Sequence, residues 1–146
     1  MALKVLPPIT KEFFLTKTDI EFKNEGAPTF VIVRKATNGN EIERNRLFAQ
    51  IKREIAPNDV VSFTSDVSID DLKCKEVFLT LAGCNIGHDD STLFRFRDDH
   101  GVLKLSMSED DFNVAFGKLP YSVASEISDC VQEMNHQWKV PEEYGY

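Results

Sequence analysis

The chain is poor in cysteine and in long apolar runs, and each shortage argues against a class of protein. Its 146 residues contain three cysteines, an odd number without a Cys-x-x-Cys pair. That pattern is untypical of a secreted disulfide framework and favours a reducing compartment. No apolar run reaches the roughly 18 residues that span a bilayer, and the first residues lack the features of a signal peptide. We therefore expect an intracellular protein without a membrane partner.

Positive charge is also scarce. The sequence has 17 Lys and Arg against 24 Asp and Glu, which gives a formal net charge of −7. Nucleic-acid binding draws on clustered Lys and Arg, so we expect no nucleic-acid partner. The densest group of bases is interleaved with acids, a pattern typical of a solvated helix face. These bases are Arg44, Arg46, Lys52 and Arg53, and the acids among them are Glu41, Glu43 and Glu54.

Motifs of the common enzyme and cofactor classes are missing as well. There is no GxGxxG, phosphate loop, GxSxG or HExxH, and the acids at 109–111 lack calcium-loop spacing. The sharpest catalytic-looking group is Cys84 with His88, Asp89 and Asp90, types that ligate zinc or form a thiolate–imidazole pair. Structural zinc needs a full set of spaced ligands, so a loop closing a buried element is the favoured interpretation. We predict no enzymatic activity, no cofactor and no metal.

What the sequence does contain is the composition of one globular domain. Hydrophobic residues make up 42% and charged residues 28% of the chain, and its length suits a single core. Residues 1–11, with Pro7-Pro8, are predicted as an extended arm, residues 12–138 as the domain and residues 139–146 as a flexible tail. We predict an α+β fold with an N-terminal antiparallel β-hairpin region and three to four helices, ending in a C-terminal helical hairpin.

Strand and helix patterns alternate along the first two thirds of the chain. Strands are predicted at residues 12–16, 19–23, 29–36 and 60–64, and at 92–97 and 102–106 around a turn at Asp98–Gly101. Helices are predicted from an Asn40 cap to about Ile55 and from Ser68 onward, where Asp71 completes the start signal. Residues 72–83 fit both a helical face and a strand alternation, and the capping signal favours helix.

The most regular stretch runs from Ser108 to Trp138. Ser108 is predicted to cap one helix that ends at Gly117, and Pro120 to open a second helix that continues towards Trp138. Apolar residues recur at helical spacing, and such a stripe is normally core. Met and Trp at its far end are also types used when a helix binds in a groove, so the stripe is a candidate partner-binding surface. Its members are Phe112, Phe116, Val123, Ile127, Val131, Met134 and Trp138.

Three groups of short segments occur in a suggestive order. They are Asp19–Thr29 with Val33–Thr37 and Glu43–Phe48, then Leu93–Phe96 with Met107–Phe112, and finally Phe116–Trp138. Together they resemble the tail assembly chaperones of long-tailed (siphovirus-type) bacteriophages. That family commonly closes with Leu-Pro, an amphipathic helix and Asn-Pro-x-Trp or Asn-Pro-Trp. Leu119-Pro120 and Trp138 match this pattern, whereas His136 stands where the family has proline.

The resemblance implies a non-enzymatic role in virion assembly, in the cytoplasm of the bacterial host. Such chaperones keep the long, helical tape measure protein soluble and help tail tube subunits polymerise around it. The implied partner is therefore the tape measure protein, with the tail tube protein as a second candidate. Self-association into a homo-oligomer is a further possibility. The alternative is a structural tail completion or terminator protein that self-assembles into a ring and stays in the virion.

Overall fold

The structure, a computed structural model, describes residues 8–54, 68–88 and 91–139, without the side chains of 51–54, 88, 91 and 92. Its helices are α1 (Thr16–Glu21), α2 (Asn38–Glu54), α3 (Ile69–Thr80), α4 (Glu109–Gly117) and α5 (Tyr121–Met134), followed by a 3-10 turn at His136–Trp138. Its strands are β1 (Thr10–Phe14), β2 (Phe30–Arg34), β3 (Leu81–Cys84), β4 (Gly87–His88), β5 (Ser91–Thr92), β6 (Phe96–Asp99) and β7 (Val102–Leu105). The predicted α+β class is confirmed.

The N-terminal sheet is antiparallel with the strand order β1-β2-β3, as the predicted hairpin region requires. In its register Phe13 lies opposite Val31, and Lys11 lies opposite Val33. Phe13, Val31 and Val33 are buried on the face that meets the helices. β1 begins at Thr10, inside the segment predicted as an arm, because its pairing with β2 extends to Arg34.

The prediction of a strand over residues 19–23 is wrong. Residues 16–21 form α1, a further helix in the connection between β1 and β2. Ile20 and Phe22 alternate as in a half-buried strand, yet they are 78% and 52% exposed. A period of two predicts a strand because one face is assumed to be buried, and here neither side chain is.

Of the two helix starts predicted in the middle of the chain, one has the predicted cap and the other is displaced. Ser68 and Asp71 form the predicted capping box at the start of α3, which then runs to Thr80 before β3 begins. The cap predicted at Asn40 is displaced, since α2 begins at Asn38. The backbone N–H of Asn40 donates to Thr37 Oγ1 at 3.2 Å, and the N–H of Thr37 donates to Asn40 Oδ1 at 3.0 Å. Thr37 is therefore the residue that precedes the helix.

The sequence also predicts the second hairpin, which β6 and β7 form, from local signals. β6 pairs with β7 as an antiparallel hairpin, and Asp99 lies opposite Val102, so the loop of His100 and Gly101 lies within the predicted Asp98–Gly101 turn. His100 and Gly101 both have positive φ, at 53° and 84°, as a two-residue hairpin loop of the primed type requires. The strand predicted over 92–97 is divided, because Thr92 ends β5 and Phe96 begins β6.

The C-terminal helical hairpin forms as predicted, with Ser108 capping α4 through a 3.1 Å bond from the Asp111 N–H. The continuation of the second helix to Trp138 is wrong, because α5 ends at Met134. Asn135 leaves the helix and accepts a 2.8 Å bond from the Ala36 N–H, just beyond β2. That contact directs the chain into the 3-10 turn, where Trp138 is fully buried.

A buried ion pair fastens α2 to the rest of the fold. Arg44 Nε donates to Glu76 Oε2 at 2.9 Å, and the two side chains are 3% and 0% exposed. Arg44 also donates to the Trp138 carbonyl at 2.9 Å. The prediction that Arg44 belongs to a solvated helix face is therefore wrong. Burial raises the pKa of Glu76, although Arg44 and Gln132 act in the opposite direction.

The core lies between the sheet and helices α3, α4 and α5. Its buried members are Phe13, Leu15, Val31, Val33, Val77, Leu79, Leu81, Phe94, Phe112, Ala115, Val123, Ile127, Cys130, Val131 and Trp138. The predicted strand at 60–64, most of the predicted arm and the tail beyond Lys139 lie outside the described residues. The buried residues named above form one apolar cluster in the described part of the chain, and α1 lies at its margin.

Candidate functional site

The seven residues of the predicted partner-binding stripe are gathered in the core. Phe112, Ile127, Val131 and Trp138 are 0% exposed and Val123 is 6% exposed, while Phe116 and Met134 are partly buried against them. Phe112 stacks on Phe116 with ring centroids 5.4 Å apart. Their burial agrees with the core role that is normal for such a stripe, and a contact with a partner through them stays a prediction.

Exposed large apolar side chains are concentrated near the N-terminus of the described chain. Four of the eight lie between residues 9 and 22. The full set is Ile9, Phe14, Ile20, Phe22, Ile42, Leu103, Val114 and Tyr121. Single exposed apolar residues are ordinary, but one that lines a concave apolar surface is typical of a contact site, and Phe22 does so.

That concave surface is an open groove of about 900 Å³ beside α1. One wall is formed by α1 and the loop after it, and the opposite side by the segment after β3 and the turn between α4 and α5. α1 itself contributes the polar Thr18 and Asp19, and the apolar lining comes from the other segments and from the first turn of α5. The apolar residues are Phe22, Ala27, Ile86, Leu93, Leu119, Pro120 and Val123. We call this the α1 groove.

The wall helix α1 is held by polar contacts at its first turn. Leu15, at its N-cap position, provides no side-chain hydrogen bond. Glu126 of α5 supplies the missing acceptors, since its Oε1 accepts from the Thr18 N–H at 2.9 Å and from Thr18 Oγ1 at 2.7 Å. Its Oε2 accepts from the Lys17 N–H at 3.1 Å. A carboxylate at this end of a helix satisfies otherwise unpaired N–H groups.

A second carboxylate organises the loop that follows α1. Asp19 Oδ1 accepts from Thr29 Oγ1 at 2.6 Å and from Asn24 Nδ2 at 2.9 Å, and Oδ2 accepts from the Thr29 N–H at 3.0 Å. These bonds, with that of the Thr29 hydroxyl first, hold the pKa of Asp19 below its usual value. Lys23 has a positive φ of 53° within this loop. Asp19 therefore closes the loop that carries Phe22.

The polar lining of the α1 groove serves its construction. Asp19 and Lys118 are the two formally charged residues in the described lining, and both oxygens of Asp19 are already engaged. Asn85 accepts from the Phe30 N–H at 2.9 Å and donates to the Pro28 carbonyl at 2.9 Å. The remaining surface offers apolar contact, which suits the side chains of another polypeptide better than a small charged substrate.

The alternative site at Cys84 gains little from the structure. Burial raises the pKa of the Cys84 thiol, which disfavours the thiolate needed for zinc binding or nucleophilic attack. The His88 side chain, Asp89 and Asp90 lie outside the described part of the chain. Over the described ranges, no three His, Cys, Asp or Glu side chains are grouped so that they could hold a metal ion.

The two other thiols are also disfavoured as thiolates. Burial and nearby acids raise the pKa of Cys74 to about 11 and that of Cys130 to about 12. All three cysteines are free.

No helix in the described residues has both the length and the apolar character to cross a bilayer.

Sequence reasoning missed the α1 groove because its lining residues are far apart in the chain, from Thr18 to Val123. The one local signal is Phe22, whose alternation with Ile20 predicts a strand instead. No protein-family model, curated protein or solved structure matches this chain. The α1 groove and the order of the sequence segments are therefore the two features of this chain that bear on its function.

Proposed function

We propose that this chain is a tail assembly chaperone of a long-tailed bacteriophage. In the host cytoplasm it holds a helical segment of the tape measure protein and so promotes assembly of the tail tube, without catalysing a reaction. The observation that carries the proposal is the α1 groove, an open apolar surface with Phe22 exposed on its wall. The segment order that resembles this chaperone family supplies the identity of the partner.

The groove fits the helix-in-groove mode of recognition. An amphipathic helix presents apolar side chains at i, i+3, i+4 and i+7, and these residues dock into a hydrophobic surface. Here the apolar contacts would come from Phe22 on the wall and from residues that line the rest of the groove. These are Ile86, Leu93, Leu119 in the turn before α5, and Val123 in its first turn. A long helical protein waiting for tail tube subunits exposes many such faces, and covering them prevents its aggregation.

The charge of the chain supports the same role. A net charge of −7 favours solubility and opposes association between like-charged complexes. A chaperone that coats an aggregation-prone partner gives this charge to the complex. The proposal thus combines a local apolar contact with a general electrostatic effect.

The first test is binding to purified fragments of the tape measure protein encoded by the same phage. Wild-type protein should retain a fragment at micromolar concentration. Phe22→Asp places a charge on the groove wall and should weaken binding by about tenfold or more. Val114→Asp is the matched control, because Val114 is 62% exposed and does not line the groove.

Failure of the wild-type protein to bind any tape measure fragment would contradict the proposal. Equal losses of affinity in the Phe22→Asp and Val114→Asp variants would mean that the α1 groove is not the binding surface. A melting temperature measured for each variant identifies any loss that comes from unfolding.

One observation favours the alternative of a ring-forming tail completion or terminator protein. β1 is an edge strand, and within the described ranges no strand pairs with its outer side. Such an edge can pair with another copy of the chain. Mass spectrometry of purified virions separates the two functions, since a chaperone is absent from the finished particle and a completion protein is present.

A further inference from the structure

We propose that Glu126 is a positioning residue of the α1 groove. Its carboxylate extends from α5 to the first turn of α1 and fixes the wall that carries Phe22. The inference rests on the proposed function, because it assigns to Glu126 a role in the partner affinity of that same groove.

The first argument is that α1 has no other cap at its N-terminus. The N–H groups of the first helical turn have no partners inside the helix and need an external acceptor. Leu15 has no side-chain acceptor, and the donors at Lys17 and Thr18 are satisfied by Glu126 at 3.1 and 2.9 Å. These two positions are separated from Glu126 by 109 and 108 residues, so the contact joins distant parts of the chain.

The second argument is that α1 has little apolar anchoring of its own. Thr18 is its one buried residue, and the Thr18 hydroxyl itself donates to Glu126 at 2.7 Å. Ile20, the single large apolar residue of the helix, is 78% exposed. The helix itself therefore buries little apolar surface, although Leu15 just before it is fully buried, and the charge-assisted bonds to Glu126 connect its first turn to α5.

The third argument is geometric. Val123 lines the groove and is 6% exposed, and it lies three residues before Glu126 on the same helix. Residues three apart on a helix lie on the same side. α5 thus carries both Val123, which lines the groove, and Glu126, which bonds to the helix that precedes Phe22. Glu126 therefore sets the distance between Val123 and Phe22.

The test compares three α5 variants for affinity towards a tape measure fragment that binds the wild-type protein. Glu126→Ala removes all three bonds and should weaken binding by about tenfold. Glu126→Gln keeps one amide oxygen but places an NH₂ group against a backbone donor, so an intermediate loss is expected. Glu133→Ala is the matched control, since Glu133 is exposed on the same helix, and should leave the affinity within about twofold.

A local readout separates positioning from general stability. Amide hydrogen exchange at Lys17 and Thr18 should accelerate in Glu126→Ala while exchange in the α5 core at Ile127 stays slow. If Glu126→Ala does not fold, Thr18→Val provides a milder test, because it removes only the 2.7 Å hydroxyl bond and leaves the two backbone bonds to Glu126 in place. A smaller loss of affinity in the same direction is then expected, and an unchanged affinity would count against the positioning role.

The outcomes distinguish this inference from the proposed function. Wild-type affinity retained in the Glu126 variants would overturn the positioning role and leave the chaperone proposal standing. Unchanged exchange at Lys17 and Thr18 in Glu126→Ala would overturn it as well. If the wild-type protein binds no fragment, the proposed function fails and this inference fails with it.

Discussion

Helices α1 and α5 distribute their apolar side chains in opposite ways. α5 buries Ile127 and Val131 completely and directs Asp129 and Glu133 to solvent, as an amphipathic helix of a stable domain does. α1 buries the polar Thr18 and leaves Ile20 78% exposed. An apolar stripe that is already buried contributes to the stability of its own chain, whereas exposed apolar residues on a helix held by polar contacts remain free to bind a partner.

The largest expected effect tests whether α5 and the turn after it belong to the core. Trp138→Ala removes a fully buried ring and should lower the free energy of unfolding by about 4 kcal/mol, measured by urea denaturation. The corresponding truncation on α1, Ile20→Ala, should change it by less than about 0.5 kcal/mol, because Ile20 is exposed.

An unchanged stability of Trp138→Ala would contradict this difference between the two regions. That result would instead support the interpretation that Trp138 belongs to a partner-binding surface. A fall in stability for Ile20→Ala as large as that for Trp138→Ala would instead place α1 in the core.

A second prediction concerns the opposite pKa shifts of two carboxyl groups, Glu76 beside α5 and Asp19 on α1. Burial raises the pKa of Glu76 above its ordinary value of 4.5. A group whose pKa is higher in the folded state stabilises the fold below its unfolded pKa, and this contribution is lost as the pH rises through the folded pKa. The stability contributed by Glu76 should therefore decrease as the pH rises above 4.5.

The measurement is the difference in unfolding free energy between wild type and Glu76→Gln across this range. Taking the difference cancels the other carboxyl groups, including those whose pKa is lowered. We expect the advantage of the wild type to shrink as the pH rises. A difference that grows with pH would mean that Arg44, 2.9 Å away, controls the pKa of Glu76 more strongly than burial does.

Sequence reasoning succeeded where the stabilising contacts are local. The Ser68 and Ser108 caps, the Pro120 helix start and the hairpin turn at Asp98–Gly101 all depend on residues within a few positions of each other. The strand β2 was also placed, because its β-branched residues suit a buried sheet.

It failed where a distant partner decides the local structure. α1 depends on Glu126 of α5, and no signal near residue 16 predicts that contact. Arg44 is buried because it pairs with Glu76, and the chain turns before Trp138 because Asn135 bonds to Ala36. The α1 groove combines several such separated segments, so it could be found only after the fold had brought them together.

The smallest predicted effect is local and lies on the α1 side of the comparison. The pKa of Asp19 is lowered from 3.8, chiefly by the bond from the Thr29 hydroxyl and then by that from Asn24. A lowered pKa gives stabilisation that is present above the unfolded value and is lost as the pH falls through the folded value. Below pH 3.8 the loop over residues 24–29 should therefore loosen.

The measurement is amide exchange at Thr29, corrected for the intrinsic effect of pH. In the wild type this exchange should accelerate below pH 3.8, while Asp19→Asn should show fast exchange at all pH values. If Thr29 instead stays protected in Asp19→Asn, the groove wall does not depend on this carboxylate, and Glu126 alone would distinguish α1 from α5.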